Sequence, residues 1–140
     1  MMTPETATRP KVLFLCVENS CRSQIAEAYA KSLLSELCDS YSSGSKPSGK
    51  VNPKAVASMG RAGYDMNTHT SKPLEQLPTK NFDIAITMGC GDFCPDIKAG
   101  HSEDWNIPDP KHMETQDFDQ VRDQIRSKVQ TLKDLLPKSA

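Results

Sequence analysis

Residues Lys11 to Val17 read KVLFLCV, an almost wholly apolar run that holds a cysteine near its end and passes into the polar stretch Asn19-Ser20-Cys21-Arg22-Ser23. So short and apolar a run suits a strand buried on both faces of a parallel sheet. From Ser23 the period changes. Ile25, Ala26, Tyr29, Ala30, Leu33, Leu34 and Leu37 recur at spacings of three and four, which predicts an amphipathic helix directly after the turn. Cys38 extends that stripe as a packing residue.

The rest of the chain repeats the alternation. Tyr41 to Gly44 is a short second strand, followed by a loop rich in Ser, Gly, Pro and Lys from Ser45 to Lys50. Asn52-Pro53 has the form of an N-cap with proline at the first helical position, opening a helix to about Ala62 that Gly63 stops. Asn81 to Met88 is a second buried-strand signature, and Asp104 to Ile107 is the expected last strand. Phe118, Val121, Ile125, Val129, Leu132 and Leu136 form the apolar stripe of a terminal helix. Strands alternating with helices predict a doubly wound α/β domain, with a small four-stranded parallel sheet flanked by helices. Residues 11–140 read as that single domain and residues 1–10 as a flexible tail. Ligands of such sheets bind beyond the carboxyl ends of the strands, and the cysteine-bearing turns after Leu15 and Met88 both fall there.

Cys16 and Arg22 enclose five residues at the first strand-to-helix turn. A loop of that length wraps a tetrahedral oxyanion with successive backbone N–H groups, here those of Val17, Glu18, Asn19, Ser20 and Cys21, while the helix adds its positive end. Arg22 closes the ring with a planar two-pronged donor. The same donors stabilise a thiolate at Cys16, the nucleophilic form, and Ser23 is placed to hydrogen-bond it. Asn19 tolerates the positive φ that such a turn requires. A cysteine that merely ends a buried strand is common, yet it accounts for neither Arg22 nor the polar run.

The stretch from Val12 to Ala28, with CVENSCRSQIAEA, resembles the low-molecular-weight tyrosine phosphatase family, and particularly its arsenate reductase branch. The resemblance continues through Tyr41-Ser42-Ser43-Gly44, Val51 to Ala55 and His69-Thr70-Ser71. It resumes at Asp83 to Thr87, Cys94-Pro95, Asp104-Trp105 and Asp109-Pro110. It implies that Cys16 attacks the bound oxyanion and that Asp109 is the general acid protonating the departing oxygen. Gln24 stands where the phosphatases typically carry proline, and no tyrosine follows Asp109-Pro110; both favour the reductase branch. Where that family often has glycine this chain has Glu18, whose carboxylate must point away from an anion.

Reducing As(V) to As(III) takes two electrons, which a thiol pair supplies by becoming a disulfide. Cys90 and Cys94 are spaced i, i+4, which in a helical turn brings their Cα atoms about 6 Å apart, within reach of a disulfide. The expected relay runs from Cys16 to Cys90 to Cys94, with thioredoxin as the reductant, as in related enzymes; glutaredoxin or a small thiol are the alternatives. Cys21 is expected to pack, although inside the loop it is also within reach of a protective disulfide with Cys16. Zinc bound by Cys90, Cys94, His101 and His112 lacks a standard spacing, and His69, His101 and His112 read as solvent-facing or capping residues. The resemblance offers a potassium site of Asn19, Glu27 and Ser42, but its later aspartate is here Lys72, whose ammonium is expected in place of a metal. No cofactor and no metal are expected.

Five cysteines, an odd count without a secretion signal, indicate a reducing cytoplasm. A net charge of -1 gives no bulk attraction to nucleic acid or membrane, and a monomer is expected. The enzyme alternative is a low-molecular-weight tyrosine phosphatase, and the non-enzymatic one an oxyanion- or redox-sensing binding protein.

Overall fold

The computed structural model describes residues 9–89 and 98–136. Four strands, β1 (Lys11–Cys16), β2 (Asp39–Gly44), β3 (Asn81–Thr87) and β4 (Lys98–Asp104), form one sheet in the order β2-β1-β3-β4. Each neighbouring pair is parallel. Among the described residues three α-helices accompany them: α1 (Arg22–Leu33), α2 (Pro53–Arg61) and α3 (Thr115–Thr131).

Apolarity tracks position in this sheet. β1 and β3 lie between two neighbours and are the apolar strands; β2 (DSYSSG) and β4 (KAGHSED) are edges with one neighbour each. β4 therefore shares only Asp104 with the expected Asp104–Ile107. An edge strand needs no continuous apolar run, so Lys98–Asp104 gave no signal, and the apolar Trp105 and Ile107 are core side chains just beyond the strand. The first helix is also shorter than its apolar stripe. It ends at Leu33, and Leu34 and Cys38 stay buried in the turn that follows. The terminal stripe likewise passes from α3 into a 3-10 turn, Leu132–Leu135.

Alternate residues of β1 face opposite ways. Val12 and Phe14, with Ile84 and Ile86 of β3, pack against Ile25 and Tyr29 of α1 and Phe118, Ile125 and Val129 of α3. Leu13 on the other face joins a smaller cluster with Phe82 and Leu77. Burying a side chain of this size contributes about 1.5–3 kcal/mol, so the helix-covered face dominates. α2 begins as its sequence implies, with Asn52 Oδ1 accepting from Lys54 N at 2.8 Å and Pro53 at the first position. Gly63, just past its end, has φ 92°. Arg9 and Pro10 are attached to the fold, since Arg9 Nε lies 2.6 Å from Asp39 Oδ1 and Asp39 N donates to Pro10 O at 2.8 Å. Among the described residues no helix is long and apolar enough to cross a membrane.

The chain runs from β1 outward to β2, then crosses to the other side for β3 and β4. The order therefore reverses at the carboxyl ends of β1 and β3, the crevice where open α/β sheets bind ligands.

Candidate active site

Residues 17–21 connect β1 to α1 at that crevice, and outside partners hold them in shape. The carbonyls of Cys16, Val17 and Glu18 accept from the amides of Ser45, Lys46 and Ser48 at 3.2, 2.8 and 3.0 Å, and that of Ser20 accepts from Asn52 N at 3.0 Å. Ser71 Oγ also donates to Glu18 O at 2.9 Å, and Gln24 Nε2 to Asn19 O at 3.0 Å. With its carbonyls engaged outside, the loop is left with free donors. The backbone N–H groups of residues 17–22 have no acceptor among the described residues, and no side chain caps α1. A row of open amides ahead of a helix N-terminus is an anion cradle. Gly44, paired with Cys16 in the register, permits the wrapping: a Cβ there would stand 2.6 Å from Val17 O.

Cys16 is buried at the floor of the cradle, its Sγ 2.9 Å from Ser23 Oγ. A backbone amide fixes how Asn19 meets that serine. Lys72 N can only donate, and it meets Asn19 Oδ1 at 2.9 Å. The other end of that amide, Asn19 Nδ2, therefore donates to Ser23 Oγ at 2.7 Å. With its oxygen accepting from Asn19, the Ser23 hydroxyl still has its hydrogen to donate to a Cys16 thiolate, which can only accept. Asn19 adopts φ 50°, the positive value the turn was expected to need.

Gln24, wholly buried, braces Asn19. Its Nε2 is shared among Asn19 O, Asn19 Oδ1 and Thr70 O at 3.0, 3.0 and 2.7 Å. Since carbonyls only accept, Gln24 Oε1 faces His69 Nδ1 at 2.9 Å, and that nitrogen carries the hydrogen. His69 is thus not solvent-facing as expected. Its side chain is 10% exposed, and burial lowers its pKa. Its isolated position gave the sequence no hint of this, because its partner lies 45 residues away. His101 is an exposed partner of Glu103 at 2.8 Å, and His112 is exposed.

Arg22 Nη1 donates to Ile107 O at 3.1 Å, and Nη2 lies 3.7 Å from Asp109 Oδ2. Gly89, at φ 80°, makes room for the guanidinium, since a Cβ there would collide with Nη1. A cavity of about 340 Å³ results, lined by Cys16, Val17, Glu18, Ser20, Cys21, Arg22, Gly89 and Asp109. A larger one of about 600 Å³, between Arg9, Lys31 and Leu77, is lined by none of residues 16–22. Burial pushes the Cys21 thiol up to about 11, which keeps it protonated at neutral pH. Glu18 turns to Lys111, whose hydrogen bond holds its carboxyl below the ordinary value. Lys111 was not singled out by the sequence; its only signal is its place just after Asp109-Pro110.

Of the side chains resembling a potassium site, Glu27 and Ser42 are joined to each other, while Asn19 Oδ1 accepts from Lys72 N. Ser42 Oγ donates to Glu27 Oε1 at 2.6 Å, and Lys72 Nζ sits 3.5 Å from Ser42 Oγ, 3.9 Å from Glu27 Oε1 and 3.1 Å from Thr70 O. That donor set fits an internal ammonium rather than an added potassium ion. Cys90 and Cys94, and with them the second half of the expected relay, lie outside the described residues.

A sequence model of the family described as low molecular weight phosphotyrosine protein phosphatase matches residues 11–140. An arsenate reductase of Staphylococcus aureus is 36% identical over 130 residues, covering 90% of this chain and 98% of that protein. Among solved structures, an arsenate reductase in the phosphate binding state superposes with a TM-score of 0.83 at 35% identity, covering 91% of this chain and 99% of that one. A thioredoxin-dependent arsenate reductase of Corynebacterium glutamicum gives 0.74 at 30% identity, covering 91% of this chain and 62% of that chain.

Proposed function

Given that this chain belongs to the low-molecular-weight phosphotyrosine protein phosphatase family, we propose that it is an arsenate reductase within it, working through Cys16, Cys90 and Cys94. The observation that carries the choice of chemistry is the 36% identity to an arsenate reductase over nine-tenths of the chain. The cradle and its thiol supply the means.

Arsenate enters as an oxyanion onto the open amides of residues 17–22 and the guanidinium of Arg22. The Cys16 thiolate, held by the Ser23 hydroxyl, attacks arsenic. An S–As bond forms and one oxygen leaves as water, protonated by Asp109. Cys90 then attacks the Cys16 sulfur. The S–S bond forms as the S–As bond breaks, and its electron pair goes to arsenic, which departs as arsenite. Cys94 attacks Cys90, freeing Cys16 and leaving a Cys90–Cys94 disulfide for an external dithiol. Thioredoxin is the proposed reductant, by likeness to the thioredoxin-dependent relative, in a cytoplasmic setting.

The deciding experiment is arsenate-dependent NADPH oxidation with thioredoxin and thioredoxin reductase. Cys16→Ser is expected to abolish it, and Cys94→Ser to permit about one turnover per chain, since two electrons are then available only once. Normal turnover by both Cys90→Ser and Cys94→Ser would sink the relay. Aryl-phosphate hydrolysis without arsenate-dependent thiol loss would instead place the chain with the phosphatases, and phosphate binding without either activity would make it a binding protein.

A further inference from the structure

The cavity wall carries two carboxylates, Asp109 and Glu18. Asp109 has a place in the chemistry. Glu18 has none, and a bare negative charge beside an anion cradle opposes the anion it is built for. Its side chain is 37% exposed, and among the described residues the cation it contacts is Lys111, whose Nζ lies 2.8 Å from Oε2 and 3.1 Å from Oε1. Both carboxylate oxygens share that ammonium, and the hydrogen bond holds the Glu18 carboxyl below its ordinary value.

Lys111 is itself placed with care. Its backbone N–H donates to Asp109 Oδ1 at 3.1 Å. Lys54 Nζ, from the first turn of α2, lies 3.3 Å from both Lys111 O and Met113 O. The turn after Asp109-Pro110 is thus tethered from below, and the Lys111 side chain crosses from it to the loop.

We propose that Lys111 is a positioning residue that clasps Glu18 and cancels its charge, so that a free tetrahedral oxyanion dianion can enter the cradle. The proposal rests on reading the loop as an oxyanion site. The pair acts on affinity for the anion, through charge. An exposed pair of this kind adds little to stability. Its effect on a dianion in a partly desolvated cavity is larger, because low effective dielectric strengthens a charge that no partner offsets.

The test reads equilibrium binding of inorganic phosphate to the full chain, by its protection of Cys16 from iodoacetamide, followed on the Cys16 peptide by mass spectrometry. It requires neither turnover nor reductant. A wrong assignment of the reduction would therefore show as normal protection without arsenate-dependent thiol loss, separate from a failure of the clasp. Lys111→Met, which removes the charge and keeps most of the stem, is expected to weaken phosphate binding about tenfold at low salt, less so at high salt where charges are screened. Glu18→Gln alone is expected to tighten binding, because Lys111 then faces the anion unpaired. The double variant returns close to wild type, and Lys111→Arg retains most of the affinity. Phosphate binding by Lys111→Met at wild-type strength would overturn the proposal. So would a double variant as weak as Lys111→Met, since simple damage to the turn would persist whether or not Glu18 is charged.

Discussion

Ser23 occupies the first turn of α1, where its oxygen is taken by Asn19 and its hydrogen is left for Cys16. Ser23→Ala removes that donor while changing little volume, so the loop should keep its shape and the thiolate lose a stabilising partner. Alkylation of Cys16 at neutral pH is expected to slow by roughly tenfold, the size of one hydrogen bond to a charged group. Cys21 is a built-in control in that measurement, because burial holds it as a thiol with a pKa of about 11. An unchanged Cys16 rate would mean that the hydroxyl does not serve the sulfur. Cys16, Arg22, Ser23 and Asn19 were readable as a group because they lie within one turn of sequence. Gln24 and His69 were not. Their contacts reach across 45 residues, and a buried glutamine in a helix looks in sequence like any polar surface position.

At the scale of elements, α2 and α3 are joined by one carboxylate. Asp119 accepts from Ser58 Oγ at 2.5 Å and from Arg61 Nη2 and Nε at 2.6 and 3.0 Å. The Arg61 hydrogen bonds draw its pKa from 3.8 down to about 2. The folded value lies below the unfolded one, so the contribution is whole above about pH 4 and disappears as pH falls toward about 2. Asp119→Asn is expected to cost about 1 kcal/mol at neutral pH, with solvent screening allowed for, and much less near pH 2. Urea unfolding of both proteins at each pH measures this; an equal deficit at the two would show that the charge is not the cause. Elements also show where sequence patterning is informative. β1 and β3 were found because both of their faces are buried, whereas the polar edge β4 was displaced onto the apolar residues that follow it.

For the whole molecule, the sheet order determines where everything converges. Placing β1 and β3 side by side brings Cys16 and Gly89 to one crevice, and α1 points its amino end into it. Because phosphate is expected to bind the folded chain alone, a concentration near a hundred times Kd should add about 2.7 kcal/mol and raise Tm by roughly 6–10 °C. Thermal melts of wild type and Arg22→Ala would check it. The shift should vanish in the variant, and a shift of equal size there would place the anion elsewhere. The alternation of strands and helices made this architecture legible, but the joining of loop carbonyls to Ser45, Lys46 and Ser48 was not, since backbone partners carry no residue signature. Those carbonyls are engaged by the protein's own amides. On the proposed function, the cradle's N–H donors face the outer oxygens of a bound anion and leave the atom at its centre unread. Any two tetrahedral anions of like size and charge must share it in the ratio of their supply, so the output of such a protein reports the balance between two solutes rather than the amount of either.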